Sequence, residues 1–126
     1  MFPFLLVGAG GAIGAMARFG FSQLVARFWS AGFPLATLLI NILGSFAMGV
    51  VMGLLAKFTP SWSEPARLFL AVGVLGGFTT FSAFSLDTIV LLERGEWLMG
   101  GLYVLLSVAL CLIGLYLGLL LTRGVA

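Results

Sequence analysis

Polar side chains recur every four residues in two otherwise apolar stretches of this sequence. The two series are Thr37, Asn41 and Ser45, followed later in the chain by Tyr103, Ser107 and Cys111. Residues four apart lie on one face of a helix, so each series predicts a polar stripe. In a membrane, such groups either join helices or line a water-filled path. Asn41 favours the path most, since its amide has two donors and two acceptor lone pairs to satisfy.

A third polar stretch, GGFTTFSAFS, occupies residues 76–85 in the middle of another apolar segment. Its two leading glycines weaken a helix, and hydroxyl residues behind them can cap a new one. The capping candidates are Thr79, Thr80 and Ser82. We therefore predict two half-helices that meet near the membrane midplane. The first would end in carbonyls suited to a small cation, and the second would begin with N–H groups suited to an anion. The alternative is an intact helix whose hydroxyls bond to its own backbone.

Two phenylalanines in this stretch, Phe81 and Phe84, are three residues apart and share a helix face. An aromatic ring has a positive edge, so edges turned towards a path could contact an anion without a lysine or arginine. Such contacts bind weakly enough to release the ion, as conduction requires. Phenylalanines at this spacing are more often plain packing, and the functional interpretation depends on the neighbouring polar residues.

The composition places these residues in a membrane. The chain has 126 residues, of which 62% are hydrophobic and 8% charged, and its mean hydropathy is +1.25. A soluble domain carries roughly a quarter charged residues, so we predict an integral protein of the cell (inner) membrane. The net charge of +2 is too small to indicate a nucleic-acid partner. The absence of His and the single Cys exclude a His/Cys metal site. The sequence offers no pairing of a nucleophilic side chain with a catalytic base, so we predict that the protein is not an enzyme.

Four apolar stretches of about 20 residues, the length that crosses a bilayer, predict one all-α domain over residues 1–126. The predicted spans are residues 4–28, 35–55, 67–92 and 98–122. Prolines and tryptophans fall at or near the span ends, where helices tolerate proline and membrane interfaces favour Trp. The N-terminal stretch lacks the basic region of a signal peptide, so we expect the first span to be retained.

Basic residues near the span ends are almost balanced between the two sides of the membrane. One side has Lys57, Arg67 and Arg123, and the other has Arg27 and Arg94. Such residues set orientation, and a chain this balanced is able to insert both ways. The balance of basic residues is therefore consistent with a dual-topology, antiparallel homodimer. A single orientation, set by a bias of one residue, stays the alternative.

Small residues spaced four apart, such as Gly10 and Gly14 or Gly73 and Gly77, occur in every span. They let helix backbones approach closely. The approach can be within one subunit or between two, and we expect packing within one subunit to explain most of the pairs.

Two charged residues lie well inside the spans, Arg18 and Asp87. Arg18 can extend to the membrane surface or give a vestibule a positive potential, and Asp87 can pair with an arginine. The first two spans contain no carboxylate. A small multidrug-type transporter, the main alternative for a four-span dimer, would be expected to carry a Glu in its first span. A non-transporting membrane assembly subunit is a third alternative.

Three segments together resemble the Fluc (CrcB) fluoride channels, in order along nearly the whole chain. They are GGAIGAMARF in the first span, GFPLATLLINILGSFAMG in the second and GGFTTFSAFS in the third. The resemblance implies a passive fluoride-selective channel that exports cytoplasmic fluoride and confers fluoride resistance. It also implies an antiparallel dimer with two pores and a structural sodium ion at the dimer centre.

The same resemblance assigns roles to individual residues. The backbone carbonyls of Gly76 and Thr79 would hold the sodium ion, and Arg18 would lie in the vestibule. The family's fluoride path corresponds here to Phe81, Phe84, Asn41, Tyr103, Ser107, Thr37 and Ser82. The family usually has Thr between the two phenylalanines, whereas this chain has Ala83 and lacks that hydroxyl.

Overall fold

The computed structural model describes residues 1–30 and 32–123, which form helices and, within that part of the chain, no strand. The helices are α1 (Phe2–Phe28), α2 (Leu35–Phe58), α3 (residues 63–78), α4 (Phe81–Glu93) and α5 (Trp97–Arg123). In α3, a turn Ser63–Ala66 precedes the π-helical segment Arg67–Leu75 and a last turn Gly76–Phe78. With α3 and α4 taken as one segment, four helices are long and apolar enough to cross a membrane. The predicted all-α, four-span architecture is confirmed.

The helix ends have local causes. The third segment begins at Ser63, ahead of the expected residue 67, because Pro65 fits a first helical turn, where its missing N–H has no partner to lose. Glu64 lies in the same turn and bonds Arg67 at 2.9 Å. The second helix continues to Phe58 and stops at Thr59, whose φ of 37° is left-handed.

The helices pair by close backbone contact. The helix α1 packs mainly on α3, and α2 mainly on α5. A Cβ on Gly14 would collide with the carbonyl of Val74, and one on Gly49 would collide with the carbonyl of Leu115. These small residues therefore serve contacts within one chain, as expected for most of them.

Few large side chains are buried. Tyr103, Ile40 and Leu91 are almost fully covered, and many other large apolar side chains are exposed. Exposed apolar helix faces are normal for a protein surrounded by lipid. Leu38, Leu91 and Tyr103 form a small core, with Phe33 and Phe84 packed against it. Of the two phenylalanines that follow the helix break, this core holds Phe84.

Candidate functional site

The third span breaks at Thr79 and Thr80, whose backbones are extended. Thr79 has φ −81° and ψ 157°, and Thr80 has φ −152° and ψ 118°. Thr80 caps α4, since its Oγ1 accepts a hydrogen bond from the Ala83 amide at 3.1 Å. The predicted break is confirmed, and Thr80 is the cap among the three candidates. Thr79 Oγ1 instead donates to the Leu75 carbonyl at 2.9 Å, and Ser82 Oγ lies 3.2 Å from Thr80 Oγ1.

Asn41, on α2, holds the break from one side. Its Oδ1 accepts a hydrogen bond from the Thr80 N–H at 2.8 Å, and its Nδ2 donates to the Thr80 carbonyl at 3.1 Å. One carboxamide thus satisfies both polar backbone groups of one residue. A second amide hydrogen of Asn41 remains for another acceptor.

Arg18, on α1, approaches the break from another side. Its Nε donates to the Gly77 carbonyl at 3.2 Å. The two helices come this close because Gly77 has no side chain: a Cβ there would lie 2.6 Å from the carbonyl oxygen of Gly11. The charged group therefore contacts the last turn before the break.

The break separates the carbonyls of residues 76–79 from the amide donors that a continuous helix would supply from four residues ahead. For two of them, Gly76 and Thr79, the displaced amide is bonded elsewhere. The Thr80 amide, which would serve Gly76, donates to Asn41. The Ala83 amide, which would serve Thr79, donates to the Thr80 hydroxyl. These two oxygens are consequently available to another partner.

A groove of about 400 Å³ opens beside the break. Its lining brings together these predicted site residues: Asn41, Thr79, Phe81, Phe84 and Ser107. Thr80, Ser45 and Cys111 add polar groups, and the other lining residues are Gly44 and apolar side chains. The remaining predicted residues, Gly76, Arg18, Thr37, Ser82 and Tyr103, do not line the groove.

Ser107 contributes the least satisfied polar group of this groove. The residue is only 6% exposed, and within the described part of the chain its Oγ has no hydrogen-bond partner. A buried hydroxyl without a partner is costly, and native proteins rarely leave one unexplained. Ser107 lines the groove, where a ligand could supply the missing bond.

The aromatic residues form a chain that leads inward from the groove. The Phe81 ring is exposed, and its centroid lies 5.4 Å from that of Phe84. The Phe84 ring lies 5.2 Å from Tyr103, which makes an edge contact with Phe33 at 5.5 Å. The two phenylalanines thus have different surroundings, one open and one packed.

Beyond Tyr103 lies a smaller cavity of about 140 Å³, lined by Asp87 and Arg94 among others. The Tyr103 hydroxyl donates to Asp87 Oδ2 at 3.2 Å. The buried tyrosine therefore contacts one lining residue of each cavity, Phe84 of the groove and Asp87 of the smaller cavity.

Comparison with known proteins identifies the family. A family model described as CrcB-like protein, Camphor Resistance (CrcB), matches residues 5–119. The chain belongs to the CrcB family. A protein of Nitrobacter hamburgensis named Fluoride-specific ion channel FluC 2 is 50% identical over 120 residues, which are 95% of this chain and 96% of the relative.

Two further CrcB relatives are named Fluoride-specific ion channel FluC. The one from Ruminiclostridium cellulolyticum is 45% identical over 126 residues, covering 100% of this chain and 96% of the relative. The one from Hyphomonas neptunium is 50% identical over 122 residues, covering 97% and 96%. The resemblance inferred from the three segments is confirmed, and the protein is a multi-pass membrane protein.

Asp87 does not form the arginine pair that its position in the sequence allowed. Its hydrogen-bond partner is Tyr103, and no arginine pairs with it among the described residues. Ser45 and Cys111, the last members of the two predicted polar stripes, line the groove. Their four-residue spacing had already placed them on those faces.

Proposed function

We propose that this protein is a fluoride-selective channel that lets cytoplasmic fluoride leave passively and so protects the cell. The observation that carries the proposal is the groove, where Asn41, Ser107 and both phenylalanines meet in a chain 45–50% identical to proteins named fluoride-specific channels. Its aromatic edges and neutral donors suit a small, strongly hydrated anion that must be released again.

Each lining group would replace part of the water around fluoride. The Ser107 hydroxyl lacks a partner among the described residues, and Asn41 retains one amide hydrogen. Phe81 and Phe84 would offer ring edges. No lining residue carries a formal charge, so the ion would be held by weak donors alone, and its exit would not require breaking an ion pair.

The other predicted residues would act around this groove. Tyr103, Thr37 and Ser82 would extend the fluoride path beyond its lining. Arg18 would supply positive potential from the vestibule side. Its Nε donates to the Gly77 carbonyl, but the other donors of its guanidinium would stay available to an anion.

A structural sodium ion would suit the carbonyls of Gly76 and Thr79. Both have lost their helical amide donors, and they lie where a helix C-terminus concentrates negative potential. No cluster of three His, Cys, Asp or Glu residues occurs between residues 1 and 30 or 32 and 123, so backbone oxygens are the suitable donors. The ion would neutralise these carbonyls in an apolar setting.

The active unit would be an antiparallel homodimer. Basic residues are nearly balanced across the membrane, three against two. In a two-fold dimer about an axis in the membrane plane, the break of one subunit would meet that of its partner, and two carbonyl pairs would complete one cation site.

The proposal is tested by anion efflux from liposomes that contain the purified protein. Fluoride is expected to leave without ATP or a pH gradient. Uptake of a cationic drug driven by a pH gradient would instead indicate a small multidrug-type transporter. Absence of both activities, with co-purification of a larger partner, would indicate an assembly subunit.

A further inference from the structure

The glycines of the third span do not themselves leave the helix. Gly76 has φ and ψ of −62° and −38°, which are helical values, and Gly77 lies within the turn Gly76–Phe78. The first extended residue is Thr79. The two glycines make the helix easier to break, but they do not determine the residue at which it breaks.

The loss of helical hydrogen bonds begins at one amide. The Thr79 N–H still donates to the Leu75 carbonyl at 3.0 Å, so the helical pattern is intact up to that residue. In a continuing helix the Thr80 N–H would reach the carbonyl of Gly76. It donates to Asn41 Oδ1 at 2.8 Å instead.

The donor and acceptor pattern fixes the orientation of the Asn41 carboxamide. Its Nδ2 faces the Thr80 carbonyl at 3.1 Å while its Oδ1 faces the Thr80 N–H. A flipped amide would place N–H against NH₂ and oxygen against oxygen, which no hydrogen placement can satisfy. The contact is therefore a specific pairing between α2 and the break.

We propose that Asn41 is the positioning residue that breaks the third span: its Oδ1 competes with the Gly76 carbonyl for the Thr80 amide. Without this competitor the Thr80 N–H returns to Gly76 and the helix continues. The start of α4 then shifts, and Phe81 and Phe84 turn with it. This role is independent of which ion passes the groove, and it leaves the second amide hydrogen of Asn41 available there.

Threonine labelling isolates the amide in question. Thr79–Thr80 is the only Thr–Thr pair in the chain. Full-length protein labelled with ¹³C-carbonyl and ¹⁵N threonine therefore gives a single ¹³C–¹⁵N correlation by NMR, that of the Thr79 carbonyl and the Thr80 amide. Its carbonyl shift reports whether the backbone there is extended or helical.

Three substitutions test the competition. Asn41→Ala removes both groups, so the resonance is expected to move towards the helical position. In Asn41→Asp the carboxyl keeps an acceptor for the Thr80 N–H whether it is protonated or ionised. Its resonance is therefore expected to stay at the native position across the pH range. Ser45→Ala, one turn further on the same groove-lining face, is expected to leave the resonance in place.

The wild type is titrated in parallel, so that shifts caused by Arg18, Asp87, Tyr103 or Cys111 are subtracted. A native Thr80 resonance in Asn41→Ala overturns the proposal, because Asn41 would then act on the ion alone. If Asn41→Ala does not fold, Asn41→Leu decides, since its side chain has a similar volume and no acceptor. A resonance at the helical position supports the proposal, and one at the native position overturns it. Neither result uses fluoride flux, so failure of the channel function would be seen separately.

Discussion

Ser107 and Phe84 both line the groove, but they differ in their contacts with the rest of the protein. Phe84 packs on Tyr103 and Phe81, so its ring position is set by the protein. The Ser107 hydroxyl is buried and has no partner among the described residues. A residue with packing partners and a residue with an unmet hydrogen bond should respond differently to substitution.

Phe84→Ile should slow fluoride efflux about tenfold, since losing an aromatic edge worth roughly 1.4 kcal/mol at the ion raises the barrier by that amount. Phe81→Ile should act in the same direction. The measurement is the initial efflux rate from liposomes. Phe58→Ile is the matched control, because Phe58 is an exposed phenylalanine at the end of α2. Full flux in both groove variants would remove the ring edges from the mechanism.

Ser107→Ala should reduce flux while leaving the free energy of unfolding unchanged or raising it by up to about 1 kcal/mol, because no internal hydrogen bond is lost. Thermal unfolding in detergent and efflux are measured on the same sample. Thr122→Ala serves as the control on the same helix, since that hydroxyl already bonds the Gly118 carbonyl at 3.0 Å. Unaltered flux in Ser107→Ala would show that the hydroxyl does not contact the ion.

At the level of helices, the contact between α1 and α3 holds the first half of the broken span in place. Gly10 and Gly14 bring α1 against the π-helical segment Arg67–Leu75 and the turn behind it. A π-helix has a wider turn and is frequent at functional sites. Here it directly precedes the break, so the fit of α1 against it determines where the break lies relative to α2.

Gly14→Ala should lower the free energy of unfolding by about 1–3 kcal/mol, because its Cβ meets the backbone of Val74 and Phe78, which cannot move aside as a side chain would. Gly8→Ala is the matched control on the same helix, with nothing within 4 Å of its Cβ. It should be neutral or stabilising by up to about 1 kcal/mol through helix propensity. Equal stability of the two variants would contradict the close contact.

How far the sequence predicts these elements depends on the range of the interactions. That the third span is prone to break follows from local chemistry, namely two glycines ahead of three hydroxyl residues, but the residue at which it breaks does not. The π-helical segment Arg67–Leu75 could not be predicted in this way. A π-helix differs from an α-helix by a shift of one residue in each hydrogen bond, and no residue type or spacing in the sequence indicates that shift. The pairing of Asn41 with Thr80 joins residues 39 apart, so no local pattern contains it. Asn41 was predicted as a path residue, whereas its contact with the backbone required the fold.

For the molecule as a whole, the charge pattern and the exposed surfaces bear on how copies assemble. One chain presents an open groove and large exposed apolar faces, and its basic residues barely favour one orientation. An antiparallel pair would account for the balance.

Single cysteines test this orientation. In a Cys111→Ser background, Ser61→Cys and Glu96→Cys place a thiol on the loops at opposite ends of the helices. In cells, each should be labelled in comparable amounts from both faces of the membrane. Labelling of each position from one face only would reject the dual-topology dimer without affecting the fluoride proposal.

The most direct test of the central claim is fluoride efflux from sealed liposomes, followed with a fluoride electrode. Vesicles with the wild-type protein should release fluoride far faster than protein-free vesicles, without ATP, and Phe84→Ile vesicles should lie between the two. Release at the protein-free rate, from protein shown to be folded in the same vesicles, would contradict the account.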